Sequence, residues 1–238
     1  MGLLPATSLV LLGGALASAS IYWAFLNTPE STGWMLALSG VLLLTALLVA
    51  AMAIGTVLLA WHSGAVSRSV AVGAVRRLPA FVLPALFVAL VWWLVLRADA
   101  WVVAHSGEIS AWFIARFNWS DVRWLFRTLE WISLWLRWVV APFIGLVWWR
   151  SIMVRGWKPT GALVRESLHP ARVLAATAIV GLLVWVPWTQ LVPWRPRGLT
   201  PGATELLFVG AKLGIVAVLS AVGWSLVART AAVSRTRS

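Results

Sequence analysis

The side chains able to do chemistry in this chain are few, and most stand at the ends of apolar runs. The seven acids are Glu30, Asp99, Glu108, Asp121, Glu130, Glu166 and Glu205, each set apart from the others. General acid–base catalysis needs convergent partners, and no two of these acids form a paired motif. The three histidines, His62, His105 and His169, lie in linkers. His62 and His169 share one side of the bilayer in the topology below, as a paired-imidazole haem or metal site would require, but linker histidines ordinarily just face solvent. Zero cysteines removes thiolate ligands, cysteine nucleophiles and disulfides together. No Walker, GxGxxG or HExxH pattern is present. The chain therefore reads as a non-enzyme with no catalytic residues, no metal site and no implied cofactor.

Two cations are more informative. Lys212 lies some two turns inside the last apolar run, where an isolated ammonium costs about 2.5 kcal/mol or more. It needs an acid, for which Asp99, Glu130 and Glu205 are the candidates, or its stem must snorkel to the headgroups, the reading its nearness to the span end favours. Arg137 in the fourth run poses the same question. On the face away from Lys212, Gly210 and Gly214 form a GxxxG spacing continued by Ala217 and Ala221, which suits close helix packing within the chain or between copies.

Positioning these groups falls to a bilayer. The 238 residues are 61% hydrophobic and 11% charged, with mean hydropathy +0.91, a balance that no water-soluble domain of this size shows. Six apolar runs, about residues 3–26, 34–61, 79–96, 131–149, 173–192 and 206–227, are long enough to cross about 30 Å of hydrocarbon at 1.5 Å per residue. The first reads as a span in place of a cleaved signal, because no basic residue precedes it. The expected fold is all-α: one polytopic integral membrane helix bundle over residues 1–238, with six transmembrane helices and interfacial amphipathic helices. Pro187 should bend the last turns of the fifth span.

Between the third and fourth runs lies a segment unlike the rest, Ser110 to Trp138, where tryptophan and arginine alternate. Arg123, Arg127 and Glu130 fall on one arc of a helix and Leu125, Leu129, Ile132 and Leu136 on the opposite arc. Indoles prefer the headgroup boundary, so residues 105–130 are expected to form an interfacial segment that dives into the bilayer near Trp131. A break is expected near Asn118, with Ser120 capping the following helix and Asp121 in its first turn.

Charge sets orientation. The linkers 62–78 and 150–172 and the tail hold 11 basic residues against one acid, whereas the opposite side holds seven basic residues and six acids. The positive-inside rule then puts both termini in the cytoplasm and the tryptophan-rich segment outside, along with all but five of the 19 tryptophans. The net charge of +12 is matched to anionic lipid headgroups on the cytoplasmic side and not to nucleic acid, because the basic residues flank spans instead of forming a soluble patch.

Trp61-His62 precedes Gly73-Ala74 by the same interval that separates Trp149-Arg150 from Gly161-Ala162, and the pairs Pro79-Ala80 and Pro170-Ala171 follow. Either these are two hairpin repeats about an axis along the membrane normal, or short linkers between spans simply look alike. This layout of span, Gly-Ala-led amphipathic linker and proline-started span resembles bacterial membrane proteins of the YciC type and the related membrane domain of some glycerophosphodiester phosphodiesterases. The resemblance implies a six-helix bundle in a bacterial cytoplasmic membrane, without an established reaction.

The expected function is that of a membrane subunit or scaffold. It would dock partner membrane proteins and lipid through Trp112, Arg116, Trp119, Arg123, Trp124, Arg127, Trp131 and Trp135. The rival is a small-substrate or lipid transporter with Arg137 and Lys212 facing a cavity between the hairpin repeats.

Overall fold

Long uninterrupted apolar stretches with no water to bond their backbone can only be helices, and helices are what form. The computed structural model describes residues 2–29, 32–119, 121–156, 169–195 and 202–232. In chain order the helices are α1 (Leu3–Leu26), α2 (Gly33–Ser63), α3 (Arg68–Arg76), a 3-10 turn (Leu78–Phe81), α4 (Val82–Ala104) and α5 (Ser106–Phe117). Then come α6 (Arg123–Trp135) and α7 (Ala141–Arg155), joined by a π turn at Leu136–Val140. Next, α8 (Pro170–Val180) is extended by π turns at Gly181–Trp185 and Pro187–Leu191, and α9 (Ala203–Ala232) closes the chain. Among the described residues six helices are long and apolar enough to cross a membrane: Leu3–Leu26, Gly33–Ser63, Leu78–Ala104, Arg123–Arg155, Pro170–Leu191 and Thr204–Ala232. Among the described residues there is no strand.

Local chemistry sets the ends. Thr32 caps α2 by accepting the Met35 N–H, and Gly64 ends it at φ 80°, a left-handed conformation that glycine adopts without strain. Ser67 caps α3 through the Val70 N–H. Pro170 takes the first position of α8, where a missing N–H costs nothing. The bend expected at Pro187 takes the form of wide turns on either side of it, with the Val192 N–H reaching back five residues to the Pro187 carbonyl at 3.3 Å.

Helices α1 and α2 pack as an antiparallel pair, α9 runs beside α1, α2, α7 and α8, and α4 lies on α7. The core gathers at one end of the bundle, where α2, α7 and α9 finish: Val57, Leu58, Phe143, Val147, Trp149, Val227 and Ala231 are buried there, with Ala74 of α3 and Ala80 of the 3-10 turn. Thr7 hydrogen-bonds Ser225 at 2.6 Å in that same region, so α1 begins where α9 ends. At the opposite end the large apolar side chains, Trp23, Trp34, Trp101 and Leu206 among them, are exposed. The two ends are called below the core end and the tryptophan end.

Close helix approach depends on glycines other than the GxxxG pair. A Cβ on Gly14 would overlap the Ala53 Cβ, one on Gly145 would lie 2.8 Å from Val88, and one on Gly55 would lie 3.0 Å from the Trp149 ring. Gly210 and Gly214 would meet nothing within 4 Å. Among the described residues, then, no neighbouring helix packs on that spacing. The Gly161-Ala162 member of the sequence repeat lies outside the described residues. Its other landmarks differ in setting: Trp149 is buried against Phe81 with ring centroids 4.6 Å apart, whereas Trp61 is half-buried under the Arg229 guanidinium.

Candidate functional site: the tryptophan elbow and its charges

At the tryptophan end α4 stops at His105, whose ring stacks on Trp101 at 4.6 Å, and α5 begins at once. Helix α5 has no buried residue. It ends where Asn118 adopts φ 54°, a conformation asparagine tolerates better than other side chains. That break falls where the sequence places it. The cap differs: Ser120 lies outside the described residues, and α6 starts at Arg123, two residues later than a Ser120 cap would give. The Asp121 carboxylate takes the capping role by accepting the Arg123 N–H at 2.9 Å and pairing with the Arg123 guanidinium at 3.1 Å. These bonds from Arg123 hold the Asp121 carboxyl below the usual carboxylate range.

Over this corner the aromatic side chains close on one another. Trp119 stacks on Phe113 at 5.4 Å and on Phe117 at 5.0 Å, meets Trp124 edge-on at 5.1 Å, and Trp112 lies edge-on to Phe113 and Phe117. Such ring pairs contribute about 0.5–1.5 kcal/mol each beyond area burial. The elbow is therefore ordered by its own side chains and not by the bundle. Arg116 and Arg127 are exposed on it, with no ion pair to either among the described residues.

Helix α6 does not stop at the expected start of the span. Its helical backbone continues from Arg123 to Arg155. Trp124, Trp131, Trp135 and Trp138 share one arc of it by their spacing, and all four are exposed. Two are held from the side: Trp135 Nε1 donates to Thr177 Oγ1 at 2.9 Å, and Trp131 lies 6.0 Å from Trp185. Trp138 meets the Trp92 ring edge-on at 4.9 Å, and Trp92 Nε1 donates to the Arg137 carbonyl at 2.8 Å. The leucine arc turns partly inward, except that Ile132 stays exposed.

The intramembrane charges resolve separately. Arg137 pairs with Asp99 at 3.3 Å, and Ser133 Oγ donates to the same carboxylate oxygen at 2.6 Å. Lys212, buried, pairs with none of the three acids proposed for it. Its Nζ donates at 2.8 Å to the carbonyls of both Val192 and Trp194, beside the Phe208 ring. Those carbonyls follow the last turn of the fifth span, where a helix leaves acceptors unsatisfied and favours a cation. Glu205 instead pairs with Arg195 at 2.8 Å. A cavity of 150 Å³ adjoins Lys212, Arg195, Glu205 and Phe208, well below the roughly 300–1,000 Å³ of ordinary ligand pockets. Lys212→Leu should free both carbonyls and fray that turn. Amide hydrogen exchange at Leu191, Val192, Trp194 and Arg195 is expected to quicken by about tenfold or more, since two hydrogen bonds of about 1 kcal/mol each are lost, with the global melting point little changed. An unaltered exchange rate would remove the capping role.

No family model, curated protein or solved structure matches this chain.

The geometry thus brings Trp112, Trp119 and Trp124 together, sets Trp131 and Trp135 along one helix, and keeps Arg137 and Lys212 in separate bonded clusters. Reading the sequence missed Thr177 and Trp92 as indole anchors and the role of backbone carbonyls at Lys212. Backbone acceptors carry no letter code, but Pro187 and Pro193 near the end of the fifth span signal a helix end in need of a cap. Among the described residues no group of three or more His, Asp or Glu side chains is placed to hold a metal.

Proposed function

We propose that this protein is a non-enzymatic docking subunit of the membrane, engaging a partner membrane protein through the outer elbow of α5 and α6. One observation carries the proposal: the elbow is ordered, yet its largest apolar side chains face away from its own bundle. Trp112, Trp124 and Trp131 are 57%, 48% and 59% exposed. Arg123, Arg127 and Glu130 on the same helix keep the start of α6 at headgroup level, because charges at depth are costly. At that level acyl chains cover these indoles only in part. Covering each would contribute roughly 2 kcal/mol from apolar area, and tryptophan and arginine are the residues enriched in interface hot spots.

The charge asymmetry supports a cytoplasmic-membrane location, bacterial in the light of the YciC-type layout, with both termini and the core end on the cytoplasmic side. The engagement of Asp99, Asp121 and Glu205 with arginines supports a non-catalytic role. The bonded state of Arg137 and Lys212 favours docking over the transporter reading.

The test is site-specific photo-crosslinking in native membranes with the probe at position 124 or 131, against position 23 on a lipid-facing surface. A single adduct of fixed mass is expected from 124 and 131 and none from 23. The same partner should co-purify in mild detergent and be lost from Trp124→Ala/Trp131→Ala. A chain that emerges alone, or adducts equally from all three positions, sinks the proposal. Loss of solute flux on Lys212→Leu would favour the transporter.

A further inference from the structure

The core end carries a concavity unrelated to the elbow. It has a volume of 510 Å³ and is lined by Arg76, Arg77, Pro79, Ala80, Ile152, Met153, Val154, Arg155 and Gly156. We propose that it binds the phosphate headgroup of an anionic phospholipid, with Arg76 and Arg77 as the principal donors.

The placement follows from the elements. Ser67 starts α3, whose Val70 and Ala74 pack on the core, so the short helix lies against the bundle with Arg68 and Arg76 on its other side. Arg76 and Arg77 immediately precede the span Leu78–Ala104, and Arg155 is the last residue of the span Arg123–Arg155. All three guanidinium groups therefore stand where hydrocarbon gives way to headgroups, which is phosphate depth whichever face of the membrane this is. Among the described residues no carboxylate lines the concavity and no ion pair engages Arg76 or Arg77. Guanidinium matches phosphate with paired N–H donors, and basic pockets between spans are the recurring form of headgroup sites.

A lipid fits better than a soluble phosphate because the rest of the lining is apolar. Val154, in the lining and 39% exposed, offers apolar surface for an acyl chain beside the arginines. Arg68 is the internal control: it lies on the same helix and is exposed, but does not line the concavity.

The experiment uses the full chain in detergent, with native mass spectrometry reading retained lipid. Phosphatidylglycerol should be retained about tenfold more than phosphatidylcholine, and Arg76→Gln/Arg77→Gln should lower that retention by about tenfold, the size of a lost charge-assisted pair. Arg68→Gln should leave it unchanged, and Arg76→Lys/Arg77→Lys should give an intermediate loss, keeping charge without the fork. Equal lipid-free melting points establish that the variants are folded, and if the double glutamine variant fails this check, the lysine pair and Arg76→Gln alone carry the comparison. Equal loss with Arg68→Gln would reduce the site to diffuse surface charge. Equal retention of phosphatidylcholine, or displacement of the lipid by millimolar inorganic phosphate, would each overturn the proposal, the latter in favour of a free anion.

Discussion

Gly14→Leu is expected to pull α1 away from α2 and lower the melting temperature of the detergent-solubilised protein more than any surface change. A Cβ at position 14 would overlap the Cβ of Ala53, which has no rotamer with which to yield, so the backbones themselves must separate. Overpacking of this kind costs about 1–3 kcal/mol, and a branched side chain adds to it. The pair offers its own rescue: Gly14→Ala should destabilise, whereas Gly14→Ala with Ala53→Gly moves the methyl to the other helix and should recover most of the loss. Gly13→Leu is the control, since a Cβ there meets nothing within 4 Å. If Gly13→Leu and Gly14→Leu melt alike, or if the exchange of methyls rescues nothing, the contact between α1 and α2 is not as close as described.

The second large effect concerns Arg137. Its side chain is 16% exposed and bonded to an Asp99 carboxylate that is 38% exposed. Removing the acid leaves a guanidinium in the span with no counter-charge. Breaking a buried pair costs about 3–5 kcal/mol, but the openness of Asp99 to solvent brings the expected figure down to about 1–2 kcal/mol. Asp99→Ala should thus be clearly destabilising. Asp99→Ala with Arg137→Leu should be closer to wild type than either single change, because the uncompensated charge is gone. Ser133→Ala should cost less, about 1 kcal/mol for its one hydrogen bond. Thermal unfolding of the four variants forms a double-mutant cycle, and a coupling near zero would show that the pair contributes nothing to folding.

These two contacts illustrate what can be read from letters. The six spans and the all-helical fold follow from apolar run length, because a bilayer leaves the backbone no alternative. The break at Asn118 is legible because Ser120 and Asp121, residues that favour the start of a new helix, follow it closely. What the letters do not carry is which face meets which neighbour. In a chain that is apolar around the whole circumference of α1 and α2, no amphipathic stripe marks the packed side, so Gly14 and Ala53 could not be told from the lipid-facing Gly13. The GxxxG pair at Gly210 and Gly214 was the more conspicuous signal and faces outward within the chain. Asp99 is visible as a lone acid near the tryptophan end, one of three candidate partners for an intramembrane cation, but the letters do not say which cation it meets; the fold brings it alongside Arg137. Lys212 itself needed no acid, since a helix C-terminus supplies negative potential without any charged letter.

The gathering of buried side chains where α2, α7 and α9 finish gives the molecule the mechanics of tongs. Phe143, Val147 and Trp149 form a tight fulcrum, while the far tips are tied by isolated links such as Arg137 to Asp99 and Arg195 to Glu205. Regions with few buried contacts open at low free energy while the rest stays folded. The tips can therefore spread sideways at lower free energy than it takes to loosen the fulcrum.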